Sequence, residues 1–297
     1  MRYITLISVP QLQALQASGA ALMLFDCSFE LGDPSAGERQ FLESHIPGAV
    51  HADLDTALSD KRLPAAGPQS RSAVDLPASG GRHPLPSRER FAAWLSSVGL
   101  GNDMQAVVYD RNGANYCGRL WWMLKWAGHE AAAALDGGLQ AWVAAGGSVK
   151  RGPERAHFQS NFVLGSEQAA LVGTQTVAQR LGQSSQTLLD ARSAPRFRGE
   201  VEPLDPVAGH IPGALNRPFG QNLDTEGKFK PAQVLRAEFE ALLGGRDPAS
   251  VVHHCGSGVS AVPNILAMEV AGLGPTALYA GSWSEWCSDP QRPVARS

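Results

Sequence analysis

The chain has 297 residues, is 43% hydrophobic and 18% charged, and carries a formal net charge of −3. That length favours two domains over one, and the slightly acidic balance argues against nucleic acid or an anionic membrane surface as the main partner. No apolar run approaches the ~18 residues of a membrane span. The first residues, Met1 to Gln16, have neither the apolar core of a secretory signal nor the Arg- and Ser-rich helix of a transit peptide, so a soluble cytoplasmic protein is expected.

In chain order, Pro10 to Ala17 reads as a short amphipathic helix, Ala21 to Asp26 as a buried strand, and His45-Ile46-Pro47-Gly48 as a turn leading into a strand through Val50. Arg88 to Ser97 is predicted helical, with Phe91, Trp94 and Leu95 on one face. Ala106 to Tyr109 is a strand, Tyr116 to Ala127 a helix, Ala132 to Leu135 a strand, and Leu139 to Ala144 a helix stopped by Gly146-Gly147. A second series follows: a helix over Thr174 to Leu181 with Thr174 as N-cap, a strand over Thr187 to Asp190, and a long loop. Then come a helix over Pro231 to Leu243 with proline in its first turn, a strand over Val251 to His253, and a last strand over Thr276 to Tyr279. Strands alternating with helices imply an α/β fold with a mainly parallel sheet. The helical spacing of Trp121, Trp122 and Trp126, and the later Trp142, Trp283 and Trp286, indicates packing and not a cofactor box.

The chain repeats itself. Leu24-Phe25-Asp26 matches Leu188-Leu189-Asp190, His45-Ile46-Pro47-Gly48-Ala49 recurs as His210-Ile211-Pro212-Gly213-Ala214, and Gly137 with Trp142 matches Gly281 with Trp286. Val107 to Asp110 aligns with Val251 to His254, which sets Arg111 against Cys255. Asp26 and Asp190 are 164 residues apart but Trp142 and Trp286 only 144, so the first copy holds an insertion of about 20 residues. It falls near Leu63 to Pro86 and is rich in Pro, Gly and Ser, as a functional surface loop would be. The implied organisation is one domain over residues 1–146, a linker over 147–171 and a similar domain over 172–297, each a parallel sheet flanked by helices. Because the HIPGA turn is present in both copies, and one copy has no loop cysteine, His45 and His210 are read as structural.

Four cysteines, Cys27, Cys117, Cys255 and Cys287, show no metal-ligand spacing; free thiols are expected, with no metal or organic cofactor. Cys255 stands apart. It ends a β-branched run and opens the loop Gly256-Ser257-Gly258-Val259-Ser260-Ala261, which leads into an apolar helix. A thiol at the carboxyl end of a strand, before a helix amino end and amid glycines that let N–H groups converge, suits a nucleophile held as an anion. A buried structural cysteine would not need the two glycines.

Together these pieces resemble the tandem-domain rhodanese-type sulfurtransferases. The resemblance rests on Asp26 with HIPGA, LDGG with Trp142, Asp190-Ala191-Arg192, the second HIPGA, Cys255 to Ala261, and Gly281-Ser282-Trp283-Ser284-Glu285-Trp286, and covers nearly the whole chain. It implies that only the second copy is catalytic, through a Cys255 persulfide. A CGSGV loop followed by Ser260 and Ala261, without a basic residue, resembles the branch that uses 3-mercaptopyruvate; thiosulfate-preferring members carry cations there. The resemblance further implies a catalytic relay of Ser257, His83 and Asp55 beside Cys255, and a donor site comprising Arg196 with Gly256, Gly258, Val259 and Ser260. Arg192 reads as structural. A second donor arginine is expected before HIPGA, where this chain has Leu204; Arg198 or Arg217 could replace it. The partners implied are a small sulfur donor and an acceptor such as cyanide, a small thiol or thioredoxin. Alternatives are a thiosulfate:cyanide sulfurtransferase and a non-catalytic persulfide carrier. A cysteine phosphatase on this fold is disfavoured, since it needs an arginine about six residues after the cysteine, where Ala261 stands.

Overall fold

A computed structural model describes residues 2–61 and 76–297. The part of the insertion over residues 63–75 lies outside them. The chain forms two compact units. One is drawn from Met1–Ala78, Pro86–Gln168 and Glu226–Lys228, the other from Ser79–Leu85, Ala169–Thr225 and Phe229–Ser297.

The first unit contains strands β1 (Leu6–Ile7), β2 (Leu22–Asp26), β3 (Ala49–His51), β4 (Gln105–Tyr109) and β5 (Ala132–Leu135), in the order β1-β5-β4-β2-β3 and all parallel. Its helices are α1 (Val9–Ala17), α2 (Ala36–Glu43), α3 (Arg88–Ser97), α4 (Cys117–Trp126) and α5 (Gly138–Ala144). The second unit repeats the plan with β6 (Ala170–Leu171), β7 (Thr187–Asp190), β8 (Leu215–Asn216), β9 (Val251–His254) and β10 (Ala277–Leu278), in the order β6-β10-β9-β7-β8, again parallel. Its helices are α6 (Thr174–Gln179), α7 (Ala194–Arg198), α8 (Ala232–Leu243), α9 (Val262–Val270) and α10 (Ser282–Trp286). Parallel strands covered on both faces need apolar side chains throughout, and β2, β4 and β9 are buried along almost their whole length.

The tryptophans pack. Trp121, Trp122, Trp283 and Trp286 are fully buried, and Trp283 and Trp286 join Val252, Tyr279 and Leu188 in the second unit's core. The two HIPGA histidines are structural in the same way: His45 Nδ1 meets Phe41 O at 2.7 Å and His210 Nδ1 meets Phe197 O at 2.8 Å, each ring stacked on that phenylalanine. They fasten the helix before the turn, and not the turn itself.

Several local expectations need correction. Helix α7 occupies part of the stretch read as a long loop, and α2 lies where no element was predicted. Helix α2 buries only Ala36, Gly37 and Phe41, and α7 buries nothing, so neither carries an apolar period. Gly37 lets α2 approach the β2 loop, since a Cβ there would lie 2.2 Å from Ser28 O. Gly173, not Thr174, is the N-cap of α6; the Thr174 hydroxyl donates to Tyr279 Oη at 2.9 Å. Among the described residues, no helix is long and apolar enough to cross a membrane.

Candidate active site

Cys255 follows β9, the central strand of the second sheet, at its carboxyl end. It is buried, as are the other three cysteines, and all four are free thiols. Its backbone N–H donates to Ser282 Oγ at 3.1 Å, and its carbonyl accepts from Trp283 N at 3.0 Å. Ser282 takes a left-handed φ of 56°, which costs a side-chain-bearing residue about 1 kcal/mol or more. Its counterpart in the first unit, Gly138, has φ 58°. The serine holds the cysteine's amide where the first unit has only a turn.

The loop then climbs to α9. Gly258 has φ +75°, and a Cβ there would come within 2.2 Å of Ala280 O, so no other residue fits without a backbone shift. Gly256 is less constrained, because the nearest neighbours of a Cβ there would be the far ends of flexible side chains. A Cβ on it would lie 3.0 Å from Arg82 Nη2 and 3.5 and 3.6 Å from Arg196 Nη2 and Nη1. Two guanidinium groups therefore stand over the residue that follows Cys255. Val259 is buried and Ser260 half-buried at the start of the helical turn.

Ser257 is buried, and its Oγ lies 2.7 Å from His83 Nδ1, on a histidine that is itself buried. The segment that carries His83, Ser79–Leu85, belongs to the second unit although it lies in the first half of the sequence. It is fixed by Arg82 N donating to Ser284 Oγ at 3.0 Å, and it packs closely at Gly81, where φ is +85° and an added Cβ would stand 2.5 Å from Gly281 O. The segment thus rests on the same turn that holds the Cys255 amide. Asp55 lies in the first unit, where it forms an ion pair with Lys61 at 2.5 Å.

Two carboxylates hold the arginines. Arg196 donates through Nε and Nη2 to Glu202 at 3.1 and 2.7 Å and through Nη2 to Asp205 at 3.3 Å, while Arg82 Nη1 pairs with Asp205 Oδ1. Burial works to raise the Glu202 carboxyl, but the bonds from Arg196 and from Leu204 N–H bring it below the usual carboxylate range. For Asp205 burial wins over the Arg82 charge, and its carboxyl is raised. Arg192 is buried, bonded to Asp190 through Nε and Nη2 at 3.0 and 2.7 Å and to Gly209 O at 2.7 Å, with its guanidinium 4.7 Å from the Trp283 ring. It is a structural tie. The two arginines considered as substitutes at Leu204 are engaged elsewhere: Arg198 with exposed Glu200 at 2.7 Å, and Arg217 with Glu238 at 2.6 Å and Asn222 at 2.8 Å. The guanidinium that joins Arg196 at the loop comes instead from Arg82. Its signal was in the sequence, immediately before His83, the residue through which the resemblance already placed this segment beside the cysteine loop.

The first unit's equivalent loop corrects the repeat alignment by one residue. Asp190 is paired with His254 and Asp26 with Tyr109. Ala191 N donates to His254 O just as Cys27 N donates to Tyr109 O, at 2.9 and 2.8 Å. The counterpart of Cys255 is therefore Asp110, and that of Gly256 is Arg111. The two strands run one residue out of step with the later LDGG and GSW turns, which a gapless match hides.

A model of the rhodanese-like domain matches residues 8–145 and again 174–289. The chain belongs to the rhodanese-like sulfurtransferase family. It is 44% identical over 98% of its length to a probable 3-mercaptopyruvate sulfurtransferase of Pseudomonas aeruginosa, covering 97% of that protein. It is 39% identical to the putative thiosulfate sulfurtransferase SseB of Mycobacterium tuberculosis, covering 98% of this chain and 96% of that one. Among solved structures, SseA from Escherichia coli, described as a 3-mercaptopyruvate sulfurtransferase of rhodanese fold, superposes with a TM-score of 0.74 at 29% identity, over 95% of this chain and all of that one. Membership of the family thus rests on both halves of the chain.

Proposed function

We propose that the protein transfers sulfur from 3-mercaptopyruvate, through a Cys255 persulfide, to a thiol or cyanide acceptor. The observation that carries the choice of donor is the 2.7 Å contact between His83 Nδ1 and Ser257 Oγ beside the cysteine. The two candidate donors differ in proton chemistry. Thiosulfate is aprotic at neutral pH and releases sulfite without proton transfer. In 3-mercaptopyruvate the thiol must lose a proton, and the carbon that it leaves must gain one.

The Cys255 thiolate attacks the donor sulfur. A Cys–S–S bond forms, the C–S bond breaks, and its electron pair passes to the enolate of pyruvate. The proton removed from the donor thiol is returned to that carbon, so donor and thiolate become pyruvate and a persulfide anion with all atoms accounted for. Ser257 and His83 suit this shuttle as a paired hydroxyl and imidazole. Asp55 is proposed as the relay's third member on the family resemblance alone. Arg196 would hold the donor carboxylate, and the Gly256 to Ser260 backbone would cradle the sulfur. An acceptor (cyanide, a small thiol or reduced thioredoxin) then takes the outer sulfur, which completes a ping-pong cycle.

Steady-state comparison of the two donors with one acceptor tests the reading. A kcat/KM for 3-mercaptopyruvate at least about 10-fold above that for thiosulfate is expected, since the relay's contribution lies in the 10²–10⁴-fold range and serves only the first. A preference for thiosulfate would overturn it.

A further inference from the structure

We infer that Ser282 is a positioning residue for the nucleophile: its hydroxyl fixes the Cys255 amide, and with it the direction in which the thiol faces a sulfur donor. The inference rests on Cys255 as the nucleophile and is independent of which donor is preferred. Ser282 is fully buried and adopts a left-handed φ of 56°, a conformation that suits glycine and is costly for a residue with a side chain. The first unit shows what the turn alone asks for. The counterpart there, Gly138, holds φ at 58°, and a Cβ on it would stand 2.3 Å from Asp110 O. In that unit the loop carbonyl closes the space. In the second unit the same turn accommodates a side chain. Glycine therefore meets the demand of the backbone, and the serine meets another.

Its hydrogen bonds identify that other demand. Ser282 Oγ donates its one proton to Tyr279 O at 2.9 Å and accepts from the Cys255 N–H at 3.1 Å. The hydroxyl has no proton left for sulfur, so it acts on the reaction through the cysteine backbone. The next residue, Trp283, donates its N–H to Cys255 O at 3.0 Å, and Ser284 N–H donates to Gly256 O at 2.9 Å. The peptides on both sides of the nucleophile are thus clamped by consecutive residues of one turn, which sets the Cα–Cβ direction. The turn is itself registered on β9, since Tyr279 N–H donates to His253 O at 2.9 Å. Without the hydroxyl, the buried Cys255 N–H loses its acceptor, which is costly. The peptide then pivots about its remaining bond, from Ala191 N–H to His254 O at 2.9 Å, and carries the sulfur out of line. A displacement of about 1 Å costs on the order of 100-fold in rate.

Two substitutions separate this role from a merely structural one. Full-length wild type, Ser282→Gly and Ser282→Ala are compared by single-turnover release of pyruvate from 3-mercaptopyruvate and of sulfite from thiosulfate. Thermal unfolding is measured on the same samples. Both variants lose the hydroxyl, but only Ser282→Ala keeps a side chain at positive φ. Ser282→Gly is therefore expected to unfold at a higher temperature than Ser282→Ala. The two should nevertheless release product equally slowly, about 10- to 100-fold below wild type. The half-saturating donor concentration should move less than about threefold, and the fold loss should be the same for both donors. If the rate follows stability instead, with Ser282→Gly near wild type, the serine only shapes the turn and the inference falls. A loss confined to donor affinity, or to one donor, would also overturn it, because a turned nucleophile slows attack on any sulfur. Product release that survives Cys255→Ser is a different failure, that of the nucleophile itself.

Discussion

The two loops that follow the central strands, one in each unit, are built on one plan and filled differently. In the first unit Asp110 sits where the second has Cys255. Its carboxylate accepts four backbone N–H groups, from Asn112 at 2.9 Å, Ala114 at 3.1 Å, Tyr116 at 2.8 Å and Cys117 at 2.9 Å. This is an anion cradle with a built-in anion. Arg111 then turns back to Asp26 at 3.2 Å and to the end of α2, where Gln40 O accepts at 3.1 Å. In the second unit the tie to the equivalent aspartate, Asp190, comes from Arg192 instead, and the position of Arg111 is Gly256. The lesson is that a loop which favours negative charge serves structure when the charge belongs to a side chain that stays. It serves chemistry when the charge is a sulfur that can be loaded and unloaded. The first unit displays, with an oxygen anion, the amide geometry from which a persulfide anion in the second would benefit.

That contrast can be broken most severely at the nucleophile. Cys255→Ser should lower pyruvate release by at least about 10⁴-fold, the scale seen when a covalent nucleophile is removed. Adding Asp110→Cys to that variant should restore nothing, because a thiol in the first loop has Arg111 beside it and not an open glycine. Turnover by the double variant would refute the comparison.

A milder intrusion is Gly256→Arg, which gives the second loop the first loop's residue. Gly256 does not need a left-handed backbone, so the fold should tolerate the change. The side chain would displace Arg82, and kcat/KM for 3-mercaptopyruvate should fall about 100-fold, comparable to loss of one or two charged hydrogen bonds. Thermal unfolding measured beside the kinetics would separate this from misfolding, and a fully active Gly256→Arg enzyme would contradict the placement of the donor site.

The smallest effect distinguishes the strands beneath the loops. Strand β9 carries His253 and His254 where β4 carries Val108 and Tyr109. Burial, with a small contribution from the neighbouring His254, pushes His253 down to about 3, and burial also lowers His254 despite nearby Asp190. A buried histidine that stays neutral while the unfolded chain takes up a proton near pH 6.5 contributes stability that is fully present above pH 6.5. That contribution is lost progressively as pH falls toward the folded value. For His253 the loss by pH 5 is on the order of 2 kcal/mol. His253→Val, which copies the first unit, should flatten the fall in Tm between pH 7 and 5. An unchanged slope would show that the ring is not buried uncharged.

Much of this was legible in the residues. Continuous apolar runs marked the parallel strands, because a strand covered on both faces cannot alternate. The HIPGA duplicate and the glycines around Cys255 pointed to two copies and one reactive loop, since positive φ and close backbone approach leave a visible demand for glycine. What stayed hidden depended on partners distant in sequence. Helix α2 docks through one phenylalanine and a glycine, too few contacts to make a period. The Asp110–Cys255 equivalence was masked by a one-residue difference downstream, which strand pairing resolves and a gapless match does not. Arg82 was overlooked because a guanidinium's place is set by what its backbone rests on, here Gly281 and Ser284, two hundred positions further along.

The segment Ser79–Leu85 has an evolutionary consequence. After duplication, two halves of a protein are in principle free to be lost, swapped or separated. Here the half without the loop cysteine encodes seven residues that fold into the half that carries it, and among them are the arginine and the histidine that face the cysteine loop. A gene encoding only the second half would specify the nucleophile without the groups that address it. The two copies have become a single heritable unit, which explains how a domain without a reactive thiol can be retained.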